Sequence, residues 1–310
     1  CHLFFLTRLP SPAIIAQAFS EVKPAVVISV PLVVDKIIRK YIFPRIQNNK
    51  VKLLWNMPVI NKKVKERICQ IVMEVFGGNA YEVMTGGAAL NQEIEKFLKS
   101  IDFPITSGYG ATECAPLITY SDWKDFIPGS CGTPVKHMEV KILSPDPENI
   151  PGEIVARGVN VMLGYYKNPE ATAEVLDKDG WYHSGDLATM SADGHVFIRG
   201  RIKNMLLGAN GQNVYPEEIE DKLNSMAMVN ESLILQKGDK LVALVYPDFE
   251  EAKTMGFNET DIMEVMEQNR KELNAQLPPF CSISAVKIHN EEFAKTPKKS
   301  IKRYLYKDVL

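Results

Sequence analysis

The chain has 310 residues, with 36 Lys and Arg against 38 Asp and Glu, a formal net charge of −2, and 45% hydrophobic and 24% charged residues. At roughly 150 residues per domain this length holds about two domains, and the composition excludes disordered, collagen and coiled-coil classes. The near-neutral charge gives no global attraction to nucleic acid or anionic lipid.

Residues 11–120 alternate helical and strand patterns. Ser11 to Val22 reads as a helix with Ile14, Ile15 and Phe19 on one face, and Ala25 to Val30 as a strand. That stretch, extended to Val34, is the most apolar in the chain. It is about half as long as a membrane span requires and holds Ser29 and Pro31. Val33 to Ile46 has helical spacing, Lys50 to Trp55 resembles a short strand, and Lys62 to Phe76 is an amphipathic helix. A strand over Tyr81 to Met84 and a helix over Gln92 to Ser100 follow. Such alternation predicts a mainly parallel sheet covered on both faces.

The texture changes near residue 125. Short strands over Val135–Leu143, Gly152–Arg157, Trp181–Tyr182 and Val196–Arg199 are punctuated by Gly and Pro turns, with a hairpin at the Asp-Gly of 191–195. This predicts a small barrel or folded sheet. After Gly200 an α+β pattern begins: a helix over Pro216–Met226, strands over Ser232–Gln236 and Lys240–Tyr246, a long helix over Thr260–Leu277, and a last strand over Ser284–Ile288. The fold class is therefore α/β plus α+β. Residues 1–124 form the α/β part of a large domain, 125–200 its β-barrel-like subdomain, and 201–310 a small α+β domain.

The cysteines at 1, 69, 114, 131 and 281 include no Cys-x-x-Cys pair. This argues against structural zinc and for a reducing, cytoplasmic setting. The chain opens in mid-pattern with CHLFFLTRLP, lacking the pattern of a signal peptide. It reads as a piece of a longer protein.

Five motifs carry chemistry. Thr85-Gly86-Gly87-Ala88-Ala89-Leu90 lies between a strand and a helix, where small residues let the backbone approach an anion; alone it is also an ordinary turn. In Thr106-Ser107-Gly108-Tyr109-Gly110-Ala111-Thr112-Glu113 the aromatic can stack on a base, and Thr112 and Glu113 suit a phosphate and its magnesium. In Trp181-Tyr182-His183-Ser184-Gly185-Asp186-Leu187 the Asp186 carboxylate can accept two sugar hydroxyls. His183 is better read as a packed histidine than as a general base. Gly200-Arg201-Ile202-Lys203-Asn204, with Gly208 and Gly211 beyond, lies at the composition boundary, where a hinge fits. The tail holds Lys295, Lys298, Lys299, Lys302, Arg303 and Lys307, a solvated basic face or the source of a lysine for an anionic centre.

The order GGAAL, YGATE, GYYKNPEAT (164–172), SGDLA, GRIKN with GQNVYPEEIE, then KTPKKSIKR resembles the AMP-forming acyl-CoA synthetases of the adenylate-forming superfamily. The last two wordings look most like the bacterial long-chain fatty acid ligases. The resemblance runs from about 85 to 305 by motif. It implies that a fatty acid is activated with ATP and magnesium as an acyl-adenylate and then passed to coenzyme A.

Position by position, the resemblance implies that Gly86, Gly87 and Ala88 border the adenine and acyl pocket. Tyr109 stacks on adenine beside Gly110, Thr112 touches phosphate, and Glu113 is catalytic and holds magnesium. Asp186 grips the ribose with Arg201 nearby. Lys203 marks the hinge of a mobile C-terminal lid, and Gly208 and Gly211 face the coenzyme A side. The family's Ser/Thr/Gly-rich phosphate loop is not among these residues, so the fragment alone is expected to be inactive. Ser300 stands at the position of the family's C-terminal lysine; Lys299 is the expected substitute, with Lys298 second. The implied location is cytoplasmic, compatible with peripheral contact at the inner face of the membrane, and nucleic acid is disfavoured as a partner. The alternatives are a ligase for another acyl or aryl acid or a carrier protein, and a non-catalytic interaction module of the same fold.

Overall fold

The computed structural model describes residues 2, 4, 12–46, 61–208, 211–296, 301–307 and 309. The strand expected over Lys50–Trp55, the lysine candidates Lys298 and Lys299 with Ser300, and the centre of the glycine loop at Ala209 and Asn210 lie outside them. The chain divides into two compact units. One comprises Cys1–Val140, Ala156–Tyr182 and Met190–Phe197; the other comprises Lys141–Val155, His183–Thr189 and Ile198–Leu310.

In the first unit the elements are α1 (Pro12–Val22), β1 (Val26–Ser29), α2 (Pro31–Ile37), α3 (Phe43–Ile46), α4 (Asn61–Val75), β2 (Glu82–Gly86), α5 (Gln92–Ser100), β3 (Ile105–Gly110), β4 (Leu117–Tyr120) and β5 (Thr133–Pro134). The helix expected over Val33–Ile46 is continuous in sequence but passes from α2 to α3 through a π-helical segment, Ile38–Ile42. The five strands lie in the order β1-β2-β3-β4-β5. The pairs β1–β2 and β2–β3 are parallel, while β3–β4 and β4–β5 are antiparallel. Ile15, Ile37, Ile68, Val72, Ile94 and Leu98 from the helices gather in one core with Val27, Val83 and Ile105 from the sheet. Ile68 and Val72, and likewise Ile94 and Leu98, are spaced by four residues, which puts each pair on one face of its helix. The expectation of cover on both faces is corrected on β1, where Val26 is 54% and Ile28 78% exposed. The helices named share a single core, and it takes only the alternate residue, Val27.

The middle of the chain supplies β6 (Met138–Leu143), β7 (Gly152–Gly158), α6 (Pro169–Val175), β8 (Tyr182–Met190) and β9 (Val196–Arg201). The four strands form a sheet of linear order β6-β7-β8-β9. A linear order does not close on itself, so the barrel-like expectation gives way to an open sheet. The Asp-Gly turn does join β8 to β9, and Gly194 there has φ +88°.

The second unit contains β10 (Leu206–Leu207), β11 (Asn213–Val214), α7 (Pro216–Leu223), β12 (Val229–Lys237), β13 (Lys240–Pro247), α8 (Phe249–Met255), α9 (Glu259–Asn274) and β14 (Ile283–Ile288). The pair β12–β13 is antiparallel and β13–β14 parallel. Asn258 and Asp261 form a reciprocal capping box at the start of α9, satisfying amides that the first turn leaves without helical partners. Alternate residues of β12 feed two cores. Ile234 joins Ile219, Leu223, Met266 and Leu273 on the helical side, whereas Leu233 and Leu235 pack with Phe293 and Tyr306 from the C-terminal segment.

The basic tail is only partly a solvated face. Lys295, 10% exposed at its side chain, pairs with Glu231 at 2.6 Å and also with Glu292. Arg303 makes a forked pair with Glu220, at 2.8 and 2.6 Å, and also donates to the Ile234 carbonyl at 3.0 Å. These two cations hold the segment against α7 and β12 rather than offering charge to a polyanion.

The acids of α7 serve the same attachment and are crowded. Burial, reinforced by Glu220, Glu217 and Glu218, pushes the Asp221 carboxyl from its ordinary 3.8 up to about 7. A carboxyl raised in the folded state binds more protons there than when unfolded, so its contribution to stability is full below about pH 4 and is lost as pH rises through about 7. Glu218 and Glu220 are shifted the same way by burial. Asp221→Asn is expected to flatten this dependence. At pH 8 it should be more stable than wild type, and near pH 4 equal to it. Urea unfolding followed by the methyl signals of Ile219 and Leu223 measures both.

Candidate functional site

In open α/β sheets ligands collect beyond the carboxyl ends of parallel strands. Two of the expected motifs lie there. The strand β2 ends at Gly86, and the turn continues through Gly87 and Ala88, both exposed, to the helix cap Asn91. Gly87 has φ +84°, a left-handed conformation that favours glycine. Asn91 accepts from the amides of Glu93 and Ile94 at 2.9 and 3.4 Å. A buried polar chain supports the strand ends. Thr85 and Ser107 share a hydroxyl hydrogen bond of 2.8 Å, Ser107 donates to Glu95 at 3.2 Å, and the other Glu95 oxygen accepts from the Gly129 amide at 2.6 Å.

The strand β3 ends at Gly110 and leads into a single helical turn, Thr112–Cys114. Tyr109 is half-buried and Thr112 exposed. Gly110 passes so close to the returning chain that a Cβ built on it would lie 1.9 Å from the Pro116 carbonyl oxygen. Glu113 is half-buried, and its Oε1 accepts the Tyr165 hydroxyl at 2.8 Å. That carboxylate, with partial burial second, holds the Tyr165 hydroxyl above the ordinary tyrosine range. Burial, aided by Glu113, pushes the adjoining Cys114 thiol up to about 11, which keeps it protonated and unreactive near neutral pH.

The second unit holds its own group. Asp186, 9% exposed, lies on β8 with Arg201 Nε 3.1 Å from its Oδ1. The preceding turn is fixed by Glu153 of β7, which reaches His183 Nδ1 at 2.9 Å and accepts from the Gly185 amide at 3.0 Å. Gly185 has φ +69°. His183 is thereby placed as a partner of Glu153 that helps shape the turn. Lys203 is exposed in the short turn Ile202–Asn204. Beside it, Asn204 donates to Glu217 at 2.6 Å and Arg199 donates to Glu218 at 3.4 Å. Gly208 and Gly211 close the β10–β11 hairpin, with the Gly211 amide donating to the Gly208 carbonyl at 2.9 Å.

Tyr165, Asn160 and Glu153 were not singled out from sequence. Tyr165 sits inside the quoted GYYKNPEAT motif, but its spacing to Glu113 is 52 residues, and no local periodicity links positions so distant.

Among the described residues no group of three or more His, Cys, Asp or Glu could hold a metal ion by itself. Glu113 nevertheless fits magnesium. Its Oε2 has no hydrogen-bond partner among the described residues, and magnesium is commonly held by one or two carboxylates plus substrate phosphates rather than by a protein cage.

Residues 203–308 match the model of the AMP-binding enzyme C-terminal domain, and residues 1–166 match that of the AMP-binding enzyme. A long-chain-fatty-acid–CoA ligase of Escherichia coli O157:H7 is 42% identical over 142 residues, covering 44% of this chain and 25% of that protein. A feruloyl-CoA synthase of an Amycolatopsis species is 40% identical over 147 residues, 46% of this chain and 30% of that protein. The aligned regions thus take in a quarter to a third of these relatives. The fold is also that of ATP-bound MatB from Rhodopseudomonas palustris, with TM-score 0.70 and 22% identity, covering 98% of this chain and 55% of that one. The match over residues 1–166 alone exceeds half of the 310 residues, and the chain belongs to the AMP-binding enzyme family.

Proposed function

We propose that the complete protein to which these residues belong is an ATP-dependent acid–CoA ligase, with a long-chain fatty acid as its first candidate substrate. The observation that carries the reading is the Glu113 carboxylate, held in one orientation by Tyr165 just beyond the carboxyl end of β3. Family membership and the name of the E. coli relatives support it.

In the first half-reaction an oxygen of the substrate carboxylate attacks the α-phosphorus of ATP. The P–O bond to the β-phosphate breaks, giving acyl-adenylate and pyrophosphate. In the second, the thiol sulfur of coenzyme A attacks the acyl carbonyl, loses its proton, and AMP leaves with the C–O bonding pair. Glu113 and the nucleotide phosphates would hold magnesium, which supplies charge neutralisation at the phosphates. Tyr109 offers a face for adenine stacking, Thr112 a hydroxyl for phosphate, and Asp186 with Arg201 a charged pair for the ribose hydroxyls. Gly86, Gly87 and Ala88 leave room for the ligand beside a turn with exposed backbone. Residues 201–310 would act as a lid turning at Lys203, with Gly208 and Gly211 on the coenzyme A side and Lys299 supplying the cation for adenylation. A cytoplasmic location is part of the proposal, supported by the thiols of Cys69, Cys114 and Cys281, which form no disulfide among the described residues.

An aryl acid is the second reading, favoured by 40% identity to a feruloyl-CoA synthase. AMP release by the complete protein with ATP and coenzyme A, compared between palmitate and ferulate, separates the two; no AMP with any acid would favour a non-catalytic module. The ribose assignment has its own test. Hydrogen bonds to a charged group contribute about 1.5–3 kcal/mol, so Asp186→Ala is expected to weaken AMP binding about 10–100-fold by calorimetry. Unchanged affinity would remove Asp186 from the site.

A further inference from the structure

The turn that carries Glu113 is held from a single distant segment, residues 160–165. The Met162 amide donates to the Glu113 main-chain carbonyl at 2.7 Å. The Asn160 side-chain amide donates to the carbonyls of Cys114 and Leu117, at 2.6 and 3.0 Å. Between those two carbonyls lies Ala115, whose φ of +51° is left-handed without being glycine, a conformation that persists only where the surroundings impose it. The Tyr165 hydroxyl then takes Glu113 Oε1. Backbone, flanking loop and carboxylate are thus fixed together.

The segment is itself fixed. The Tyr165 amide donates to Thr172 Oγ1 at 2.9 Å, and that hydroxyl donates to the Asn168 carbonyl at 2.8 Å. Gly164 has φ +145°, and a Cβ there would lie 2.9 Å from Thr172 Cγ2. These contacts give Gly164, Tyr165, Asn168 and Thr172 of the Gly-Tyr-Tyr-Lys-Asn-Pro-Glu-Ala-Thr motif a structural role, which the nucleotide reading does not use.

We infer that Tyr165 is a positioning residue that determines which oxygen of Glu113 meets the metal–nucleotide complex: Oε1 is bound to the phenol and Oε2 is presented. This rests on the reading of Glu113 given above. The terminal torsion of a glutamate is broad and roughly two-fold, so without the hydroxyl its two oxygens exchange and the carboxylate samples many orientations. A phenol bonded to one oxygen selects one of them before any ligand arrives. Partners of this kind, one step behind a metal ligand, typically carry a factor of about 10–100 in metal affinity.

Tyr165→Phe removes the hydroxyl and keeps the half-buried ring. In the complete protein with ATP, binding of Mn²⁺ is followed by electron paramagnetic resonance, alongside the Mg²⁺ dependence of adenylation and thermal unfolding. The expected result is about 10-fold weaker Mn²⁺ binding and a matching rise in the Mg²⁺ concentration for half-maximal adenylation. The melting temperature and the metal-free affinity for ATP should stay near wild type. A lower melting temperature with unchanged metal dependence would mark Tyr165 as a packing residue and overturn the inference. Glu113→Gln distinguishes the levels. If it weakens Mn²⁺ binding while Tyr165→Phe does not, the positioning role is wrong and the Glu113 reading stands. If neither variant changes Mn²⁺ binding, the Glu113 reading falls and the positioning role with it.

Discussion

Gly110→Ala is expected to lower the stability of the chain by about 3 kcal/mol and to abolish most adenylation by the complete protein. The new methyl would sit 1.9 Å from the Pro116 carbonyl oxygen and 2.8 Å from its carbonyl carbon. Real Cβ atoms do not approach backbone so closely, and neither atom belongs to a side chain that can rotate away. Overpacking typically costs about 1–3 kcal/mol, and an obstacle made of backbone puts this site at the upper end. For a unit of this size, 3 kcal/mol lowers Tm by roughly 6–12 °C. The activity should fall further than stability alone explains. Relief of the overlap must push β3 away from the 115–117 segment, and Glu113 lies between them. A displacement of about 1 Å at a catalytic group can cost about 10² in rate. Thermal unfolding and ATP–pyrophosphate exchange, measured at a temperature where the variant remains folded, separate the two effects. Wild-type exchange in a folded Gly110→Ala protein would show that the close approach is not needed to place the turn.

What the sequence revealed follows how local each signal is. The helix over Gln92–Ser100 matches its expected bounds because its period and its Asn91 cap lie within ten residues. No strand is predicted over β3 from the sequence, since Gly108 and Gly110 are punctuation in most contexts. Here they are the positions where neighbouring backbone comes close: a Cβ on Gly108 would lie 3.1 Å from a Leu117 methyl and 3.3 Å from the Thr119 carbonyl oxygen. The barrel expectation came from frequent short strands. Strand frequency says nothing about whether the first and last pair, and here they lie at opposite ends of the order. Acids at the start of α7 suit the helix dipole, and their carboxylates also bind Arg199, Asn204 and Arg303. Arg303 lies 83 residues from Glu220, beyond anything a pattern of neighbours can encode. The site shows the same division. Tyr109, Thr112 and Glu113 stand out because they are packed into one motif. The residues that contact Glu113 and the loop beside it, Tyr165 and Asn160, are ordinary in sequence and become informative only through their contacts.

Glu113→Gln is expected to lower adenylation by about 10²–10³, the order that one preorganised electrostatic contact at a reacting centre supplies. The substitution is chosen because it preserves almost everything except charge. Glutamine has the length of glutamate, and its amide oxygen can still accept the Tyr165 hydroxyl that now reaches Oε1 at 2.8 Å. The main-chain bond from Met162 to residue 113 is untouched. Fold and turn should therefore survive, with Tm within about 2 °C of wild type, since a half-exposed change of this kind usually costs no more than about 0.5 kcal/mol. The remaining difference is one negative charge, which on the proposed reading faces the metal–phosphate complex. In adenylation the carboxylate nucleophile approaches a phosphate that already carries negative charge, and positioning with charge neutralisation does most of the catalytic work in phosphoryl transfer. With Glu113 holding the metal as proposed, its loss should therefore act on that half-reaction. The second half-reaction attacks the acyl carbonyl carbon rather than a phosphorus atom and has no pyrophosphate to expel. When supplied with preformed acyl-adenylate, Glu113→Gln should form the thioester within about threefold of wild type. Equal loss in both halves would mean that Glu113 supports the structure of the site rather than the metal–nucleotide complex, and full adenylation would remove it from the chemistry.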